Sequence, residues 1–224
     1  LLDKIAKDNG DGFVLIIEDD FRFKKESTYI LDTILKTSRN INHQIYFLDY
    51  LIDNDLIDLH LRHFKKNEYS DKKLFFYSAA TNYIGCTSCL LIRQSSSKYL
   101  LDTLKNFFQK LKHEKKLKPI DMVLRVCLQN SIIKGSIIVP PIGAPDWYFD
   151  HNSTIQTNHD LFIRNSMQAY LLLRIAASGI KDVKFCALEF SKLTKTYINI
   201  DHINNLEDFY KLFKSNLNKI SHNW

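Results

Sequence analysis

Phe13-Val14-Leu15-Ile16-Ile17 runs without a break into Glu18-Asp19-Asp20. Five apolar, mostly β-branched residues that end in three acids predict a central strand, buried on both faces, whose tip delivers carboxylates to the rim of a sheet. In open α/β sheets that rim is where ligands bind. Three crowded carboxylates repel one another, and oxygen donors of this kind suit Mn²⁺ or Mg²⁺. Side chains alternate along a strand, so extended geometry carried through residue 20 would put Glu18 and Asp20 on one face and Asp19 on the other. Glu18 with Asp20 is then the expected metal and nucleotide face. The same run also fits a plain acidic turn that closes a strand and caps the next element.

Outward from this stretch, Leu1 to Lys7 reads as the end of a helix, and Asn9-Gly10-Asp11-Gly12 as a turn feeding the strand. After the acids, Ser27 is placed to cap a helix with an apolar stripe of Ile30, Leu31, Ile34 and Leu35. Gln44 to Asp49 then reads as a second strand. A strand, a helix and a returning strand predict a right-handed crossover, the building block of a parallel sheet. From Asp53 to Lys73 the chain is polar, with His60, Arg62, His63, Lys65 and Lys66 close together. That segment is either a solvated loop or a basic lip for a phosphate or an anionic acceptor. No RNA- or DNA-binding motif accompanies it, so nucleic acid is not an expected partner.

Leu74 to Tyr77 and Cys89 to Ile92 are strand-like, and the small-residue segment Ser78 to Gly85 between them leaves room for a ligand, with Asn82 a candidate substrate contact. Ser95, Ser96 and Ser97 offer caps to a helix carrying Leu100, Leu104, Phe107, Phe108 and Leu111 at helical spacing, which Pro119 ends. Pro119-Ile120-Asp121 opens another helix, where Asp121 either caps or meets an acceptor hydroxyl. Ile137-Ile138-Val139 is a last strand halted by Pro140-Pro141. The next loop holds Asp146, Trp147, Tyr148, Asp150 and His151; its rings and carboxylates suit a sugar, and suit equally a loop that only fastens a helix to the sheet. Beyond it, Tyr170 to Ala176 and the series Leu206, Phe209, Tyr210, Phe213 and Leu217 read as amphipathic helices of a packing or docking appendix.

The 224 residues suffice for one α/β domain with a helical addition, and 45% hydrophobic with 25% charged residues is the balance of a globular chain. A net charge of +6 and a pI near 9.0 favour polyanionic company such as nucleotide phosphates, acidic glycans or an anionic membrane surface. No apolar run reaches the roughly 20 residues of a membrane span, and the first residues lack a signal-peptide layout. The four cysteines do not form a disulfide framework and fit a reducing, cytoplasmic setting. Cys86-Thr87-Ser88-Cys89 has the spacing of a redox or zinc half-site, but its apolar setting fits two small buried thiols as well. A phosphate-binding glycine loop, a Gly-x-Ser-x-Gly elbow and a His-Glu-x-x-His helix are all missing from the sequence.

Taken in order, Val14-Leu15-Ile16-Ile17-Glu18-Asp19-Asp20, the small-residue segment entering a strand and an amphipathic helix, Pro119-Ile120-Asp121, and Pro140-Pro141 before His151-Asn152-Ser153-Thr154-Ile155 resemble glycosyltransferase family 25. That is the lipopolysaccharide-biosynthesis and collagen-galactosyltransferase group, whose members are similar in a strand ending Glu-Asp-Asp, a later Pro-x-Asp and a Ser-x-Ile. The resemblance spans Leu1 to Gln156. It implies a GT-A-like, Rossmann-like α/β fold: a mostly parallel sheet with flanking helices over residues 1–157, and a helical C-terminal appendix over 158–224. Only residues 1–12 precede Phe13, so the strand-helix-strand half that cradles the nucleoside base in such folds is expected upstream, unless the chain is a shortened relative.

The implied activity is metal-dependent transfer of a sugar, galactose among the candidates, from a nucleotide-sugar donor, UDP-linked by preference, to a surface-glycan or lipopolysaccharide-type acceptor. Glu18, Asp19 and Asp20 match the acidic motif that holds Mn²⁺ or Mg²⁺ and the donor, with His151 as the late metal ligand. Asp121 is the candidate base and Asp19 the second catalytic carboxylate, while Asp146, Trp147 and Asn82 shape the substrate side. A glycan or lipid-linked acceptor implies a cytoplasmic protein with peripheral contact at the inner membrane. The alternatives are a degenerate, non-catalytic module that binds a glycan or protein partner, and a hydrolase that uses the same carboxylates on phosphate.

Overall fold

The computed structural model describes residues 2–7, 10–24, 27–51, 58–59, 62, 74–83, 85–114, 118–145 and 172–221. Along the chain come α1 (Leu2–Ile5), β1 (Phe13–Ile17), β2 (Phe21–Phe23), α2 (Ser27–Ser38), β3 (Ile45–Phe47) and β4 (Phe75–Ser78). They are followed by α3 (Ala79–Asn82), β5 (Cys89–Arg93), α4 (Ser97–His113), α5 (Ile120–Gln129), β6 (Gly135–Val139), β7 (Gly143–Pro145), α6 (Val183–Thr194) and α7 (Leu206–Ser221). The chain divides into two compact units, one of Leu1–Asp19, Thr28–Tyr50 and Leu74–Val139, the other of Asp20–Ser27, Leu51–Lys73 and Pro140–Trp224.

The first unit is α/β and holds a five-stranded sheet in the order β1-β5-β3-β6-β4. The strand opened by Phe13 is therefore not central: on its outer side β1 pairs with no described strand, and its residues are half-buried up to an exposed Ile17. The centre belongs to β3, where Ile45, Tyr46 and Phe47 are all buried, with the fully buried β6 beside it. A short apolar run has the same composition at an edge as at the centre, because burial of its two faces is decided by elements far away in sequence.

The expected mostly parallel sheet is mixed. β3 pairs with β6 in parallel, whereas β1 with β5, β3 with β5 and β4 with β6 are antiparallel. β1 and β3 do run in the same direction, as the strand-helix-strand pattern predicts, but they are not neighbours; β5 inserts between them. Gly135 lets β6 approach β3 closely, since a Cβ there would lie 2.9 Å from both the side chain and the carbonyl of Ile45.

Helices form where the apolar spacing predicts them. In α4 the buried residues include Leu100 and Leu104, and α5 buries Val123, Leu124, Cys127 and Leu128. α5 ends in Ser131 at φ +56°, a left-handed residue whose N–H and that of Ile132 close on Leu128 and Cys127. α1 lies against α4, where Lys105 Nζ meets Asp3 Oδ1 at 2.8 Å in an exposed pair of small energetic weight.

In the second unit β2 and β7 form a two-stranded antiparallel ribbon, Phe21 opposite Pro145. The Ser27 hydroxyl bonds the carbonyls of Lys24 and Ile142, so it fastens the ribbon rather than capping α2 as expected. The helical part comprises residues 172–178, α6 and α7, around buried Phe190, Phe209 and Phe213 with ring centroids 5.2 to 6.3 Å apart. Asp182 caps α6 by accepting the N–H groups of Lys184 and Phe185. Among the described residues no helix is long and apolar enough to cross a membrane.

Candidate functional site

The sheet end at which β1 and β3 finish collects the unit's chemistry. β5 starts there, with Cys89 opposite Ile17. One step past β1, the Glu18 N–H donates to the Ser88 carbonyl at 2.9 Å. Across β5, the Leu48 N–H just past β3 donates to the Cys89 carbonyl at 3.0 Å. Glu18 and Asp49 therefore leave the sheet on either side of the start of β5, and the turn Gly85 to Ser88 that feeds β5 runs between them.

The two acids differ in setting. Glu18 is exposed and its Oε1 accepts from Thr87 Oγ1 at 3.4 Å. Asp49 is fully buried, a position a carboxylate holds only where donors surround it. Its Oδ1 accepts the Tyr50 N–H at 2.9 Å, and its Oδ2 accepts the Ser88 hydroxyl in a short bond and the Cys86 thiol at 3.3 Å. Cys86 adopts φ +82°, a strained backbone for a residue with a Cβ, and these bonds help hold it.

Tyr83 seals the underside of this turn. Its ring stacks on Phe47 with centroids 3.9 Å apart, and its hydroxyl donates to the Cys86 carbonyl at 2.9 Å. Burial, and then the negative charge that Cys86, Asp121, Asp49 and Glu18 can carry, hold its phenol far above the ordinary range, so it keeps its proton and serves as a donor. Asp121, Asp49 and Glu18, far apart in sequence, thus all lie near enough for their charge to act on one buried hydroxyl. Burial, with Asp49 and Cys86 close by, also raises the Cys89 thiol. All four cysteines are free; Cys86 is half-buried, and Cys89, Cys127 and Cys186 are buried, which agrees with the buried-thiol reading for Cys89.

The expected site residues are scattered over both units. The extended backbone stops at Ile17 and residues 19–20 form a turn, so the alternation that would pair Glu18 with Asp20 does not operate. Asp19 is exposed on that turn; Asp20 is half-buried and belongs to the second unit, where it leads into buried Phe21. Asp121 occupies the first turn of α5, half-buried, its Oδ1 accepting the Met122 N–H at 2.8 Å. Asn82 ends α3 and donates its amide to the Ser78 carbonyl and the Thr81 hydroxyl, both at 2.8 Å. Asp146, Trp147 and His151 lie outside the described residues.

Among the described residues no three His, Cys, Asp or Glu side chains gather into a cation cage. Two exposed carboxylates at a strand tip still fit a hard dication, because Mg²⁺ is commonly held by one or two carboxylates together with substrate phosphates and water. Asp49 does not fit that role, since both of its oxygens accept from the protein.

Asp49, Ser88 and Tyr83 were not expected as site residues. Asp49 carried a signal of its own: it closes the apolar run Ile45 to Leu48 as Glu18 closes the run before it. No family model, curated protein or solved structure matches this chain.

Proposed function

We propose that this chain is a metal-dependent glycosyltransferase of the GT-A kind, moving a sugar from a nucleotide-sugar donor, a UDP-sugar by preference, to a glycan or lipid-linked glycan acceptor. The observation that carries the proposal is that Glu18 and Asp49 leave the sheet just past β1 and β3 on either side of the start of β5, with Asp121 near enough for its charge to act on the Tyr83 phenol beside them. Ligands of α/β sheets bind beyond such strand ends.

In this reading Glu18 and Asp19, both exposed, hold Mn²⁺ or Mg²⁺. Such an ion, when bound, supplies charge neutralisation of the departing diphosphate. Asp121 accepts the proton of the attacking hydroxyl, which raises the nucleophilicity of the acceptor oxygen as its bond to the sugar forms. Tyr83 acts through the backbone of the 85–88 turn and keeps that turn in place when charge develops nearby. The basic overall balance favours approach of a doubly charged nucleotide diphosphate and of an anionic membrane surface that presents a lipid-linked acceptor.

Calorimetric titration of UDP and a panel of nucleotide sugars tests this, with Mn²⁺ and then with a chelator. Wild-type chain is expected to bind only with the metal, and Glu18→Gln and Asp19→Asn to lose that binding while staying folded. Absence of nucleotide binding under every condition would reject the transferase reading and favour a glycan- or partner-binding module.

A further inference from the structure

We propose that Asp49, the buried acid, is a positioning residue that sets Glu18 through Ser88. The relay is short and each link is a named bond. The Asp49 carboxylate accepts the Ser88 hydroxyl, and the carbonyl of the same Ser88 accepts the Glu18 N–H at 2.9 Å. A parallel path runs from Asp49 to the Cys86 thiol at 3.3 Å, and from the next residue, Thr87, by its hydroxyl to Glu18 Oε1 at 3.4 Å. Both the backbone and the carboxylate of Glu18 are thus tied to the 85–88 turn, whose inner side is fixed by Asp49.

The burial pattern says which partner directs the other. Asp49, Ser88 and Tyr83 are all at 0 or 1% exposure, whereas Glu18 is exposed. A buried side chain in a filled site has few alternative rotamers, while an exposed Glu has many and takes its preferred one from its contacts. Asp49 itself reaches no ligand, since it is sealed beneath the turn. Its effect on the reaction is indirect, through where the Glu18 carboxylate points.

This inference rests on the transferase reading for its consequence and not for its geometry, and the experiment separates the two. Ser88→Ala and Asp49→Asn are made in the full chain and checked for folding by circular dichroism and thermal melting. Hydrogen exchange of the Glu18 amide is then followed by NMR, alongside Mn²⁺-dependent UDP affinity. The Glu18 amide is expected to exchange faster in both variants while the amides of β3 keep their protection. UDP affinity is expected to fall roughly tenfold, as for loss of a residue that orients a metal ligand. Glu18 exchange unchanged in folded Ser88→Ala overturns the proposal, and that variant carries the test should Asp49→Asn fail to fold. If the wild-type chain binds no UDP, the transferase reading fails and the exchange measurement alone decides the role of Asp49.

Discussion

At one end of the five-stranded sheet Glu18 and Asp49 follow the last residues of β1 and β3; at the other end His43, Arg93 and Lys134 surround the first residues of the same strands. The cationic end is closed by backbone. Arg93 donates through Nη2 to the carbonyls of Ser38 and Ile41 at 2.7 and 2.8 Å and through Nε to that of His43 at 3.2 Å. Its guanidinium also lies 4.9 Å from the centre of the Phe13 ring. The Ser38 and Ile41 carbonyls, at and just past the end of α2, also accept the Tyr46 hydroxyl, so this charge completes a helix C-terminus. At the acidic end Asp49 is likewise enclosed by donors, but Glu18 and Asp19 face solvent. The charge at the one end is bonded to backbone within the fold, while at the other Glu18 and Asp19 sit exposed at a strand tip.

The strongest way to break that comparison is at Arg93. Arg93→Ala removes three charge-assisted bonds and leaves helix-end carbonyls to one phenol, so a loss of roughly 3 kcal/mol is expected in urea unfolding. Arg93→Lys should recover little, because an ammonium cannot span the fork of three carbonyls. A change below about 0.5 kcal/mol, the range of ordinary surface substitutions, would mean that the cationic end is as solvent-compensated as the acidic one.

A smaller effect belongs to Tyr83. Tyr83→Phe keeps the stacking on Phe47 and deletes only the bond to the Cys86 carbonyl, for an expected cost of about 1 kcal/mol. Because that carbonyl belongs to a residue at φ +82°, the turn should loosen locally. Alkylation of Cys86 with iodoacetamide, read by peptide mass spectrometry, should quicken relative to wild type. Cys186, whose thiol burial pushes up to about 12, should stay unlabelled in both and so report that the fold is intact. Equal labelling of Cys86 in the two proteins would show that the hydroxyl does not restrain the turn.

Much of this arrangement was readable from local pattern. The stripe on α4, the start of α5 at Pro119 and Asp121, and the strand before Pro140 all follow from periodicity and breakers, which act over a few residues. Strand order and direction did not follow, since Cys89 to Arg93 reads alike whether it runs with its neighbours or against them. In the candidate site, the places of Glu18, Asp19 and Asp121 at element ends were legible, because each closes or opens a patterned element. Asp49 ends its element in the same manner, but that it is enclosed depends on Ser88 and Cys86, about forty residues away, and a pairing at that distance is fixed by tertiary folding.

At the acidic tip the expected stability effect is smaller still. Glu18→Gln and Asp19→Asn should each fall within about 0.5 kcal/mol of wild type, as for other exposed positions. Paired with loss of metal-dependent nucleotide binding, that result would sharpen the contrast between the two ends. A large loss of stability would instead make the acids part of the framework.

The faintest expected signal is the pH response of the cationic end. His43 is half-buried, with Nδ1 2.8 Å from the Ser136 hydroxyl, and burial, followed by the positive charges of Lys134 and Arg93, holds its pKa below the ordinary value. In the unfolded chain the imidazole takes up its proton near pH 6.5. Below that pH the unfolded state binds a proton that the folded state resists, so this contribution to stability is complete above about pH 6.5 and is lost as pH falls toward the folded value. His43→Asn keeps a polar atom for Ser136 and cannot titrate. The difference in unfolding free energy between wild type and this variant should therefore favour the wild type less at pH 5 than at pH 7.5. Lys134→Ala should shrink that dependence by removing one of the two repelling cations. A difference that stays flat over this range would mean that Ser136 and solvent accommodate the imidazolium, and that the cationic end tolerates one more charge.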